Sequence, residues 1–183
     1  MANRLITFAG GASLGFIASR ILPPLVSQTV ASWNTARGHD PFQYLAEDHD
    51  RFRRLLAEME ESRGKGTFHR TQLLARLKRG LAAHAMAEED VIYPLIHDEV
   101  GAEVAAERLY SEHGMIKTHL YALERTMGDE VAWLDRAAAL RRLLDAHARQ
   151  EEEVEFPRLR GLLDHDALAR TARHIRREKA MML

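Results

Sequence analysis

Cysteine is absent from this 183-residue sequence. That excludes disulfides, thiolate metal sites and a cysteine nucleophile, and it leaves the cellular compartment open. A surplus of either charge is missing too. Lys and Arg number 26 against 27 Asp and Glu, a net charge of −1. No field that would gather nucleic acid or an anionic substrate is implied, so nucleic acid is not expected as a partner. Strand-like alternation is also missing from Asp40 onward, where Ala, Leu, Arg and Glu dominate. What the chain has in number is histidine, ten in all. Its length suits one domain with a real core.

Long hydrophobic runs are scarce. The one clear case is "LITFAGGASLGFIAS", residues 5–19, which carries no charge and is followed by Arg20 and the breaker pair Pro23-Pro24. As helix it would span roughly 22 Å, short of the roughly 30 Å hydrocarbon core. Gly11 and Gly15 form a GxxxG, a weak signal taken alone. Residues 1–32 are therefore expected to form an extra apolar helix that packs on the domain or on another copy, with membrane attachment left open. The expected location is the cytoplasm. Residues 33–39 read as linker.

From there the punctuation predicts four long helices. Asp40-Pro41 is a capped start, and "SRGKGT" ends that helix. Pro94 and the segment to Gly101 end the second, "MGDE" at Gly128 ends the third, and Pro157 with Gly161 closes the fourth. Short connections make neighbours antiparallel, so the fold expected for residues 40–161 is an all-α, up-down four-helix bundle. Residues 162–183 add a C-terminal helix from an Asp164 cap, whose basic face reads as solvated. Each bundle helix carries an apolar seam with steps of three or four residues. The first holds Leu45, His49, Phe52, Leu56 and Met59, and the second Leu77, Leu81, His84, Glu88, Val91 and Leu95. The third holds Ala106, Leu109, His113, Ile116, Leu120 and Leu123. The fourth holds Trp133, Ala137, Leu140, Leu144, His147, Glu151 and Val154. The polar residues in these seams are His49, His84, Glu88, His113, His147 and Glu151.

Six polar groups scattered through a core would each cost a few kcal/mol or more, whereas gathered around cations they become ligands. In His-x-x-x-Glu the two side chains lie one turn apart on the same helix face. The motif occurs twice with matching flanks, as "HAMAEEDVIYP" from residue 84 and "HARQEEEVEFP" from residue 147. His49 precedes His84 by 35 residues and His113 precedes His147 by 34. The chain is thus a helix pair written twice, and a pseudo-twofold metal site is expected. Four nitrogen and two oxygen ligands suit iron, manganese or zinc.

This constellation resembles the hemerythrin-like (HHE cation-binding) domain family. The resemblance covers residues 40–161. It implies a four-helix bundle holding two iron ions, a non-haem centre bridged by two carboxylates and an oxo or hydroxo group. By that resemblance His49 and His84 serve one iron, His113 and His147 the other, and Glu88 and Glu151 bridge. It further implies binding or sensing of dioxygen, of a related small redox ligand such as peroxide or nitric oxide, or of iron. Oxidase- or peroxidase-like activity is left open. Oxygen-carrying members have a fifth histidine a turn from the third-helix ligand, and an Asp five residues after the fourth-helix His. Here Leu109 and Lys117 flank His113, and Glu151 follows His147 by four. One iron should then keep an open or water-filled position, which favours sensing or redox chemistry over transport.

Other readings compete. A metal-free or single-metal structural bundle, with the inner His and Glu bonding one another, is the rival from a different class. Ferritin-like Glu-x-x-His is missing, since Leu81 and Leu144 stand three residues before the motif histidines. No His-Glu-x-x-His of a zinc protease occurs. His39, His69, His97, His119, His165 and His174 are expected at the surface. Glu89 and Glu152 are read either as acceptors orienting the imidazoles or as a solvated flank. Tyr110 offers either a nearby phenol or packing.

Overall fold

The computed structural model describes residues 40–182. The expected N-terminal apolar helix and the linker lie outside the described residues. Helix α1 (Pro41–Glu60) starts where Asp40 accepts a hydrogen bond from the Phe42 amide at 2.9 Å, with Pro41 in the first turn, as an N-cap should. Helix α2 (Gly66–Ala87) passes through a π-helical turn, Glu88–Ile92, into α3 (Tyr93–Val100). This rod stops at Gly101, whose left-handed φ of 63° suits a residue without a Cβ. After α4 (Glu103–Arg125), Asp129 caps α5 (Glu130–Gln150) by accepting from the Ala132 amide. A second π-helical turn, Glu151–Glu155, joins α5 to α6 (Phe156–Leu162). The last helix, α7 (His165–Met182), begins with Asp164 accepting from the Ala167 amide at 2.7 Å.

The ion pairs show the up-down order directly. Between α1 and the α5–α6 rod they join Glu60 to Arg141, Arg53 to Asp145, His49 to Glu152 and Asp40 to Arg160. One number falls as the other rises, so the helices are antiparallel. Lys78–Glu124 and Glu89–Lys117 show the same for α2 and α4. The core divides into two apolar clusters. One packs Phe52, Leu56, Leu77, Leu120, Trp133 and Leu144 towards the α1–α2 turn. The other packs Leu45, Ile92, Ile96, Leu109, Phe156 and Leu159, and takes Ile175 from α7. The polar seam residues lie between these clusters along the sequence of every bundle helix. Helices α1 and α2 approach closely at Gly80, where an added Cβ would sit 2.7 Å from the Phe52 ring.

The seams hold up to the two π-helical turns and shift beyond them. Every predicted seam residue of α1 and α4 is buried. In the second rod Leu95 is only half-buried, while Tyr93 and Ile96 are fully buried. In the fourth, Val154 is 38 % exposed and Glu155 is buried instead. A π turn holds one extra residue, so each helix leaves it out of phase with the seam that entered. Helix α7 packs along α2 and reaches α1. Its expected solvated face is corrected at one residue, because Lys179 is buried beside Thr171, Ala172 and Ile175. Among the described residues there is no strand, and no helix is long and apolar enough to cross a membrane.

Candidate metal centre

All six predicted site residues meet in the buried layer between the apolar clusters. His49 and His84 bring their Nε2 atoms to 2.9 Å of one another, and His113 and His147 bring theirs to 3.2 Å. Glu88 lies between the pairs. Its Oε1 is 3.0 Å from His84 Nε2 and 3.9 Å from His49 Nε2, and its Oε2 is 3.4 Å from His113 Nε2. Glu151 Oε2 reaches His49 Nε2 at 3.3 Å and His147 Nε2 at 3.4 Å. The atoms form two groups with metal-ligand spacing: His49, His84, Glu88 and Glu151, and then Glu88, His113 and His147. Glu88 belongs to both.

The outer nitrogen of each imidazole is held as consistently as the inner one. The Nδ1 atoms of His49, His113 and His147 each lie 2.8 Å from a carboxylate, that of Glu152, Glu89 and Glu112 respectively, and His84 Nδ1 lies 3.3 Å from Asp48. With Nδ1–H donating outward, every Nε2 lone pair points inward, the tautomer a metal ligand requires. Each carboxylate has a cation of its own: Arg53 on Glu152, Lys117 on Glu89, Arg108 on Glu112, and Arg51 with Lys179 on Asp48. Glu89 and Glu152 thus take the role of acceptors. Asp48 and Glu112 escaped the sequence reading, although the repeat carried the signal: each immediately precedes the lone histidine of its half, His49 or His113.

Tyr93 was missed as well. It is fully buried, and its hydroxyl donates to Glu151 Oε1 at 2.9 Å while lying 2.9 Å from His113 Nε2. The sequence placed Tyr93 only as the repeat counterpart of Phe156, whose ring stacks at 6.3 Å on His49. Tyr110 serves packing: its ring meets that of Tyr93 edge-on at 4.9 Å, and its hydroxyl donates to the Glu89 carbonyl at 2.7 Å. His119 and His69 are half-buried, His97, His165 and His174 are exposed, and none joins the cluster.

The electrostatics fit a cation site. Both oxygens of Glu88 and Oε2 of Glu151 are buried without a hydrogen-bond partner, an expensive state for a carboxylate unless cations adjoin it. Burial alone would raise the Glu88 carboxyl, yet the surrounding His84, His113 and His49 outweigh it and hold the group well below the usual carboxylate range. Burial would lower His49, but the hydrogen bonds to Glu151 and Glu152 push it up to about 10. His113 is raised against burial in the same way, by Glu88 first. Burial and the neighbouring Glu151 push the Tyr93 phenol well above its ordinary value, so it stays protonated. Protons on His49 and His113 therefore balance the two glutamates in the metal-free chain, and metal uptake would displace them.

A cavity of about 450 Å³ opens onto this layer between α2 and α4. All four histidines line it, with Phe52, Leu81, Ile116, Leu120 and Leu144 forming much of its wall. The ion pairs Lys78–Glu124 and Lys117–Glu89 bridge the two helices beside it.

Comparisons with known proteins agree with this geometry. A DNA nickase from Nostoc sp. (strain PCC 7120 / SAG 25.82 / UTEX 2576) is 26% identical over 133 residues, which cover 73% of this chain and 37% of the nickase. The chain thus spans little more than a third of that relative's length. No solved structure matches. The model of the hemerythrin HHE cation-binding domain matches residues 40–159, which is more than half of the chain and contains all six clustered residues. The chain belongs to the hemerythrin HHE cation-binding family.

Proposed function

We propose that this bundle holds a non-haem di-iron centre that binds or senses dioxygen or a related small redox ligand. The observation that carries the reading is the pair of buried glutamates with orphaned oxygens, ringed by four imidazoles whose lone pairs all face them. His49 and His84 would hold one ion and His113 and His147 the other, with Glu88 and Glu151 between them. Six ligands of this kind exceed what one tetrahedral ion uses and suit a pair. Iron, rather than manganese or zinc, rests on the family.

A bound iron pair supplies one-electron chemistry and coordination positions for a small ligand. The protein supplies the surroundings. Its apolar cavity admits small uncharged molecules and disfavours bulk water. The Tyr93 hydroxyl is a fixed donor at the His113 side, where the oxygen carriers' additional histidine is lacking. That position is therefore polar and protic rather than another imidazole, which favours sensing or redox turnover over carriage. The nickase's activity belongs to that protein, and with a net charge of −1 nucleic acid is not proposed as a partner here.

Metal analysis of the purified chain, with optical spectra before and after reduction and exposure to air, tests the reading. About two iron ions per chain are expected, with rapid oxidation in air and ready binding of azide or nitric oxide. A single zinc would overturn the di-iron assignment. A long-lived oxygen adduct that releases dioxygen under vacuum would overturn the sensing and redox role. A chain that binds no metal would return the bundle to a structural or interaction role.

A further inference from the structure

Three of the four imidazole–carboxylate–cation chains are built wholly within the family-matched bundle. The one on His84 is not. Lys179, from α7, donates to Asp48 Oδ2, the same oxygen that accepts from His84 Nδ1 at 3.3 Å. Arg51 takes Oδ1 at 3.1 Å. The Lys179 ammonium lies 4.2 Å from the centre of the Tyr44 ring, and the residue is 7 % exposed.

A charged group in that place calls for a reason. Thr171, Ala172 and Ile175 make α7 a covering helix with a buried stripe, and Lys179 continues that stripe one turn beyond Ile175. An apolar residue would suffice for coverage, because a buried ammonium is costly unless it is paired. Here the pairing fixes the Asp48 carboxylate from both sides, with Arg51 on one oxygen and Lys179 on the other. Asp48 in turn fixes the plane and tautomer of His84. The acceptors of the other three histidines are 19–28 % exposed at their side chains, and Asp48 is 5 % exposed. The His84 acceptor is thus the one screened least by water.

We propose that Lys179 is a positioning residue for the metal ion held by His84, so that docking of α7 and metal occupancy at the His49–His84 end are thermodynamically linked. The inference rests on the metal-binding reading above and adds to it a helix outside the family-matched residues. Linkage is reciprocal: whatever factor α7 docking contributes to metal affinity, the metal returns to α7 docking. Gain or loss of the ion would then be reported at the surface by the C-terminal helix.

The test uses the full chain with ferrous iron alone, under anaerobic conditions. Lys179→Met keeps length and apolar cover but removes the charge, and Lys179→Arg restores a donor. Iron content at controlled free iron should show about tenfold weaker binding of one ion in Lys179→Met and an unchanged second ion, with recovery in Lys179→Arg. Amide hydrogen exchange in α7 of the wild type should slow when iron is added. Two ions bound with wild-type affinity by Lys179→Met, together with α7 exchange indifferent to iron, would overturn the inference and leave the di-metal reading standing. If Lys179→Met fails to fold, the wild-type exchange measurement decides alone: slowing supports the linkage and no change overturns it. A wild-type chain that takes up no iron brings down the metal reading itself, and this inference with it.

Discussion

The two halves of the bundle carry the same motif and end in different chemistry. Each contributes an acidic residue followed by a histidine, Asp48-His49 and Glu112-His113. Each then contributes a His-x-x-x-Glu-Glu, from His84 and from His147. The halves also exchange support, since Glu152 of the second holds His49 of the first and Glu89 of the first holds His113 of the second. Symmetry fails at three places. Tyr93 puts a hydroxyl on Glu151 and His113, whereas its counterpart Phe156 offers His49 only a ring face. Ile92 is matched by the buried Glu155. A buried lysine backs Asp48, while the half-exposed Arg108 backs Glu112. Duplication thus fixed the ligands, and the residues around them make the two ends unequal. One metal position faces a phenol, and the other is joined to α7.

Removing the shared ligand should have the largest effect. Glu88→Ala is expected to lose both ions, because Glu88 alone belongs to both ligand groups, whereas His147→Ala should lose about one. Metal per chain after desalting checks this, and two ions retained in Glu88→Ala would break the bridging assignment. Next comes the pair Asp48→Asn and Glu112→Gln. Each should weaken binding about 10- to 100-fold, and each at its own end only. Titration with ferrous iron would show whether the two losses fall on different ions. A loss at both ends in either variant would mean that the halves act as one unit.

The aromatic difference gives a smaller effect. Tyr93→Phe makes the ends alike and leaves Glu151 Oε1 without its donor, at a cost of about 1–3 kcal/mol in the metal-free chain. Denaturant unfolding of wild type and variant measures it, and an unchanged midpoint would show the hydroxyl to be idle. Least of all is expected of His119→Ala. That residue shares α4 with His113 but lies outside the cluster, so metal content should stay at the wild-type value. A metal loss as deep as that of Glu88→Ala would show that the helix phase is wrong.

The sequence made the ligands legible because α-helical phase is regular from each helix start to its histidine. Leu109, His113 and Ile116 fall on one face by spacing alone, and they are buried as expected. Beyond Glu88 and Glu151 that regularity ends. Val154 turns outward and Glu155 inward, because a π turn is a response to packing and leaves no mark in periodicity. Asp48 and Glu112 were readable as repeat partners, but an acidic residue beside a histidine on a charged helix looks like surface. Lys179 was hidden for a similar reason. In "HIRREKA" it is one cation among several, and only the docking of α7 on α2 selects it for burial.

The two π turns carry a consequence for how such a chain tolerates insertion and deletion. Each adds one residue to a helical turn, and one residue is worth about 100° of rotation. Losing a single residue between Glu88 and Ile92 would leave His84 in place and revolve everything from Tyr93 onward by about that angle. Tyr93 and Ile96 would then swing away from the core. The same holds on the other rod for Phe156 and Leu159. Single-residue length changes should therefore be accepted in the Ser62–Lys65 turn long before they are accepted at either glutamate, although both segments are equally short on paper.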